Sequence, residues 1–250
     1  MSRDLKIYPL KIEGDKMNVI EKKPLAQVPF LIGVLGRVKA GKTLLVNSLF
    51  LSNRFYADDF QVKILISPTA RNDPQNKHLI EEFDFVFDEY SEALLKELVE
   101  MIEDDVTENK YVIVLDDVIG AMTQKKNGKV DYITSLATKY RHIGNEESGE
   151  GKLSLCIVSQ YFKYFTPILR NNMSALYIMG KFPEPELKKI ADAYSFFGGS
   201  EKEFIELYKK ARKTKYDFLF LNIADMLAMR SHEEIIWKDS DDEDNESEEK

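Results

Sequence analysis

Cysteine is almost absent: Cys156 is the only one in 250 residues. A single cysteine cannot close an internal disulfide, which excludes a disulfide-stapled secreted scaffold and makes a reducing, intracellular setting the expectation. It stands inside Leu155-Cys156-Ile157-Val158, where a buried thiol is the ordinary reading. Long apolar runs are missing as well. No stretch approaches the roughly 18 apolar residues of a membrane helix, and the first thirty positions hold no cationic start followed by an apolar segment. Neither a membrane span nor a secretory leader is expected.

A surplus of positive charge is also lacking, since the formal net charge is −8. Its distribution matters more than its size. Asp239 to Lys250 holds eight acids and one lysine, a charge of −7, which leaves −1 for residues 1–238. The body is close to neutral, so overall charge excludes neither a nucleic acid nor a protein partner, and any basic surface must be local. The tail, 239–250, is a solvated acidic segment expected to be disordered. The 44% of hydrophobic residues suits one large α/β domain or two small ones and excludes a fibrous or disordered chain.

Residues 1–27 mix charge with scattered apolar positions (Ile7, Tyr8, Leu10, Ile12) and read as an N-terminal arm or an edge strand. From residue 28 to 238 the pattern is that of a single domain. Short β-branched runs alternate with amphipathic stretches, the signature of parallel strands joined by crossover helices. Strands are predicted at Phe30–Leu35, Val62–Ser67, Phe85–Phe87, Tyr111–Leu115, Leu153–Ser159, Ala175–Met179 and Asp217–Ile223. Helices are predicted over Thr43–Leu51, after the cap Ser91, over Asp131–Tyr140, and after Ser200, which forms a capping box with Glu203. Gly144 to Gly151, with three glycines and three glutamates, reads as a mobile loop.

The chemistry begins at Gly36-Arg37-Val38-Lys39-Ala40-Gly41-Lys42-Thr43, which fits G-x-x-x-x-G-K-[ST] between an apolar strand and an amphipathic helix. The glycines let backbone N–H groups turn inward around a β-phosphate, and the helix N-terminus adds its positive dipole end. Lys42 can then reach the β- and γ-phosphates and Thr43 can ligate Mg²⁺. The plain alternative is a glycine-rich turn with a coincidental Lys-Thr. Tyr111-Val112-Ile113-Val114-Leu115-Asp116-Asp117 is a buried strand delivering two carboxylates at its C-terminal end, a Walker B pattern. Asp116 suits Mg²⁺ and Asp117 suits the attacking water; otherwise Asp117 caps the following turn.

Leu153 to Gln160 repeats the design, an apolar strand ending in a polar residue. If that strand lies between the other two, Gln160 faces the γ-phosphate; if not, it is a solvated strand-end amide. Arg141 and Arg170 are the candidates for a cation supplied to a neighbouring subunit's γ-phosphate, with Arg141 favoured and ordinary surface salt bridges as the alternative. Lys209-Lys210-Ala211-Arg212-Lys213-Thr214-Lys215 carries five cations in seven residues, either a grip on a phosphate backbone or a helix C-terminus complementing its dipole. Lys125, Lys126 and Lys129 lie in a polar loop that could face a ring channel.

Taken together, these residues resemble the DNA-packaging ATPases of nucleocytoplasmic large DNA viruses and virophages, within the FtsK/HerA superfamily of P-loop motors. The likeness runs from about Phe30 to about Ile223 and rests on Gly36 to Thr43, Ile64-Leu65-Ile66-Ser67-Pro68-Thr69, Asp116-Asp117, Arg141-His142, Ser159-Gln160 and Ile168-Leu169-Arg170-Asn171-Asn172. The resemblance implies an α/β, RecA-like ASCE core with a mostly parallel central sheet flanked by helices. It also implies a ring of like subunits driven by ATP and Mg²⁺, moving double-stranded DNA into a capsid in the host cytoplasm. By position it gives Lys42 and Thr43 to nucleotide and metal, Asp116 to Mg²⁺, Asp117 to water, Gln160 to sensing and Arg141 to the trans finger. A capsid or portal protein is the implied partner, and no membrane. Asp117 departs from the superfamily, which usually has the longer Glu there.

Two other classes compete. Asp117-Val118-Ile119-Gly120 matches the D-x-x-G of GTPase switches, but no N-K-x-D follows it; Asn76-Lys77 and Asn109-Lys110 come earlier and lack the Asp. A nucleotide-binding assembly protein that does not turn ATP over is the other. Competition of ATP and GTP for a fluorescent nucleotide should favour ATP, and clear GTP preference would overturn the ATPase reading.

Overall fold

The computed structural model describes residues 24–72, 74–118, 131–144 and 151–239. Several expectations fall outside them: the arm up to residue 23, Gly120 of the D-x-x-G match, Lys125, Lys126 and Lys129, positions 145–150 of the glutamate-rich loop, and the tail beyond Asp239.

Among the described residues nine strands form one sheet: β1 (Leu31–Gly36), β2 (Val62–Ile66), β3 (Phe85–Phe87), β4 (Tyr111–Asp116), β5 (Leu153–Ser159), β6 (Ala175–Met179), β7 (Phe218–Asn222), β8 (Leu227–Arg230) and β9 (Glu234–Lys238). Their order is β3-β2-β4-β5-β1-β6-β7-β8-β9. Pairing is parallel from β3 through β6 and antiparallel from there to β9. The helices are α1 (Lys42–Leu51), α2 (Lys77–Glu82), α3 (Glu92–Asp104), α4 (Tyr132–Lys139), α5 (Pro167–Asn171), α6 (Glu184–Ala193) and α7 (Glu201–Ala211). The α/β class and mostly parallel sheet match the expectation, and each predicted strand recurs within one residue at either end.

The central strands read as unbroken apolar runs because both sheet faces are covered. Along β4, Tyr111, Ile113 and Leu115 enter one core with Leu95 of α3, Leu136 of α4, Ile190 of α6 and Phe204 of α7. Val112 and Val114 enter the other, with Leu45, Leu49 and Phe50 of α1 and Leu79 of α2. Leu25 and Ala26 pack into this second core, and the Tyr56 hydroxyl donates to the Ala26 carbonyl at 2.8 Å. Cys156 is fully buried there, as its setting suggested.

Helix starts follow their caps. The Ser91 hydroxyl accepts from the Leu94 N–H at 3.0 Å, Asp131 from that of Thr134 at 2.8 Å, and Ser200 from that of Glu203 at 3.2 Å. Five elements were not expected from sequence: α2 (Lys77–Glu82), β8, β9, and the pair α5 and α6. Proline, usually a breaker, opens both helices; Pro167 begins α5 and Pro185 sits in the first turn of α6, where a missing N–H costs nothing. The strands β8 and β9 are four and five residues long, and their turn puts Ser231 and His232 in the left-handed region, at φ 48° and 61°, without a glycine to announce it.

That turn buries His232 completely against the rings of Phe55, Tyr177, Phe218 and Phe220, at centroid distances of 4.7 to 5.5 Å. Neither imidazole nitrogen has a hydrogen-bond partner, and burial pushes its pKa down to about 3 from 6.5. The unfolded chain therefore takes up this proton before the folded one. The contribution of neutral His232 is complete above about pH 6.5 and is lost progressively as pH falls toward 3. The thermal midpoint should fall as pH drops from 7 to 4, and His232→Phe should flatten that slope, whatever its stability at neutral pH.

Candidate nucleotide site

β1 delivers Gly36 to the C-terminal edge of the sheet, and the chain turns through residues 37–41 before α1 begins at Lys42. The turn is closed by the Ala40 N–H on the Arg37 carbonyl at 3.1 Å. Lys39 and Gly41 adopt left-handed backbone, at φ 63° and 96°. Gly41 is the N-cap of α1, so the pivot from loop to helix needs a residue without a Cβ. Behind the loop, Gly180 directly follows β6; a Cβ there would lie 2.8 Å from the Ala40 Cβ. The loop is thus supported from the rear by the neighbouring strand. Arg37, Val38 and Lys39 form its exposed crest.

Lys42 is half-buried and donates to the Arg37 carbonyl at 3.2 Å. Burial lowers its pKa below the ordinary lysine value, opposed by the negative charges of Asp116 and Asp117. A phosphate arriving at this ammonium relieves the cost of burying it. Thr43 follows in the first turn of α1, half-buried.

The strand order answers the question that Gln160 posed. β5 lies between β1 and β4, so its end stands between the loop and the carboxylate pair. Asp116 closes β4 and accepts a hydrogen bond from the Ser67 hydroxyl at 3.0 Å. Asp117 turns into the left-handed region at φ 55°, with its N–H on the Val158 carbonyl of β5 at 3.2 Å. The turn carries its short side chain to the Gln160 amide, which donates to the carboxylate at 2.8 Å. The loop, Lys42, Asp116, Asp117 and Gln160 are therefore brought together at one edge.

The arginines are not. Arg141 lies in the 3-10 turn Tyr140–His142 after α4, beside Gly151, with its Nε donating to the Tyr140 hydroxyl at 3.0 Å. Gly151 precedes β5 and Gln160 follows it. A strand of that length spans roughly 20 Å, so Arg141 belongs to the opposite edge of the sheet. Arg170, on α5, stacks 4.9 Å from the Phe162 ring and lines a separate groove of about 600 Å³. Neither has a carboxylate partner among the described residues.

Ser67 is one residue that sequence reasoning passed over as a site residue; a serine closing an apolar strand beside Walker B was the available signal. Lys181 is another, placed one residue after the strand-ending glycine. The basic run proves to be divided. Lys209 pairs with Glu206 at 2.8 Å and Lys213 with Glu234 at 3.5 Å, whereas Arg212 and Lys215 line a cleft of about 420 Å³ shared with the phosphate loop and Gln160.

Neither a scan against protein-family models nor a search of curated proteins gives a match. Solved structures do match. The genome-packaging NTPase B204 of Sulfolobus turreted icosahedral virus 2, in complex with ATPγS, superposes with a TM-score of 0.57 at 16% identity, covering 82% of this chain and 97% of that one. The chain shares a P-loop ATPase fold with it. B204 from Sulfolobus turreted icosahedral virus, a DNA-packaging ATPase, gives a TM-score of 0.58 at 14% identity over 81% and 96% of the two chains. The pCW3 conjugation coupling protein TcpA, with ATPγS, gives 0.53 at 18% identity over 86% and 62%. On this P-loop ATPase fold, the sheet edge carrying the loop and the carboxylates is where an open α/β sheet takes its ligand.

The left-handed backbone of Asp117 makes a stability prediction. Asp117→Asn, which tolerates that conformation, should stay within about 0.5 kcal/mol of the parent protein. Asp117→Val should cost roughly 1–3 kcal/mol in denaturant unfolding. Equal stabilities would show that the backbone is not held there.

Proposed function

We propose that this chain is an ATP-hydrolysing motor that translocates double-stranded DNA into a viral capsid. The observation that carries the reading is the Gln160 amide at 2.8 Å from the Asp117 carboxylate, on a strand inserted between the phosphate loop and the acidic strand end. Lys42 and the loop N–H groups hold the β- and γ-phosphates, Asp117 takes a proton from the attacking water, and Gln160 holds that carboxylate in position. The likeness in fold to packaging and DNA-transfer proteins supports the choice of DNA as the moved polymer.

Mg²⁺ fits the donors present. The Thr43 hydroxyl and Asp116 carboxylate are hard oxygen ligands, and Ser67 orients the latter. Among the described residues there is no cluster of three or more His, Cys, Asp or Glu, so these two side chains with nucleotide oxygens and water would complete the ion's hard-oxygen set. Bound there, it draws charge off the phosphates.

Arg141 sits too far from its own loop to serve it, which supports a role in trans and hence a ring of like subunits. A capsid or portal protein is the partner such a ring needs, and the host cytoplasm is where it would work. No helix among the described residues is long and apolar enough to cross a membrane.

Duplex DNA should stimulate ATP turnover by the full chain, and Lys42→Ala should abolish it. Asp117→Asn and Arg141→Ala should each lower turnover by on the order of a hundredfold or more. Mixed in equal amounts, these two inactive variants should recover activity, because roughly one site in four then combines an intact Asp117 with a neighbour's intact Arg141. No turnover in any condition would sink the motor. Turnover without recovery on mixing would sink the trans finger alone.

A further inference from the structure

The cleft beside the phosphate loop has an unbalanced charge. Arg37, Lys39, Lys181, Arg212 and Lys215 line it with Gln160, and no carboxylate does. Two of these cations come from the linker between α7 and β7, some 170 positions from the loop in sequence. The antiparallel pairing of β7 on β6 returns that linker to the edge where β1 and β6 end.

The linker is held in place by its own bonds. Thr214 closes a turn on Asp217, its N–H and hydroxyl donating to the two carboxylate oxygens at 2.7 and 2.8 Å. Tyr216 packs on the loop pivot, its ring 3.5 Å from where a Cβ on Gly41 would stand. The Tyr208 hydroxyl donates to the Gly180 carbonyl at 2.6 Å and accepts from the Phe182 N–H at 3.3 Å, which ties α7 to the turn behind the loop. Over that tyrosine ring, at 5.2 Å, lies the Arg212 guanidinium. Its Nε is buried without a hydrogen-bond partner, and neither Arg212 nor Lys215 has a carboxylate partner among the described residues.

Fixed cations without counter-charge, opening on Gln160 and the first half of a phosphate loop, call for an anion that is present in one nucleotide state and gone in the other. We propose that Arg212 and Lys215 read the terminal phosphate of the nucleoside triphosphate bound by their own chain. This inference rests on the nucleotide-motor reading and adds to it a sensor in cis. When the terminal phosphate leaves, the two cations lose their partner, and the strain falls on a linker packed against Gly41 and joined to β7.

DNA backbone phosphate offers the same chemistry, so the test has an arm for each source. Binding of ATPγS, ADP and a short DNA duplex is measured on the full chain and on Arg212→Gln, Lys215→Gln and the control Lys209→Gln, whose ammonium pairs with Glu206. Lys215 is exposed, so its variant folds even if that at Arg212 does not. Each cleft variant should weaken ATPγS by about tenfold while ADP changes less than about twofold, since one charge-assisted contact is lost from the terminal phosphate alone. Duplex binding should not change, and Lys209→Gln should match the parent. Equal losses on both nucleotides, no loss, or loss on duplex DNA alone would each overturn the inference while leaving nucleotide binding intact. A parent protein that binds neither nucleotide would instead remove the motor reading, and the sensor with it.

Discussion

One hydrogen bond, from the Gln160 amide to the Asp117 carboxylate, depends on a decision made by the whole sheet. It exists because β5 is inserted between β1 and β4 in parallel register, Ile32 opposite Cys156 on one side and Val114 opposite Cys156 on the other. Without the insertion, the acidic strand end would adjoin the phosphate loop directly and no amide would stand between them. The same pairing fixes Asp117 itself, whose N–H continues the ladder onto Val158 while its backbone has already turned left-handed. Asp is among the few residues that accept such a turn readily. The short Asp117 side chain thus sits on a backbone bent toward the Gln160 amide.

Much of this was legible in the residues. The phosphate loop could be read because glycine spacing and the flanking elements are local properties, and the structure follows that text almost residue for residue. The carboxylate pair could be read because a strand that is apolar on both faces and then abruptly acidic has few other meanings. What could not be read was which strand lies beside which. Gln160 could therefore be nominated and not placed, and Arg141 could be favoured without knowing that it faces the other edge. The basic run from Lys209 to Lys215 could be noticed but not apportioned for the same reason. Its cations are equivalent in sequence, but helix phase and the turn at Thr214 send two toward carboxylates and two toward the cleft. Prolines at the starts of α5 and α6 hid helices by resembling their ends.

Electrostatics at the site is arranged against the average of the chain. The body is nearly neutral, yet one cleft gathers cations without acids, and one strand edge gathers acids facing a lysine whose burial disfavours its charge. Neither arrangement is self-sufficient, and the proposed polyphosphate with its divalent ion would satisfy both at once.

The position of β1 also constrains how the molecule comes into being. Its two neighbours, β5 and β6, begin more than a hundred residues downstream, and the first bond made as the chain enters β1, from the Phe30 N–H to the Ser154 hydroxyl, spans 124 positions. Asn222 reaches back across 198 positions to the Pro24 carbonyl. A nascent chain that has already emitted its phosphate loop holds it on an unpaired strand until β5 and β6 emerge, and the cations of the cleft come later still. Such long-range closure makes for slow folding with exposed apolar strands along the way. The molecule cannot grip a nucleotide until most of it has been made.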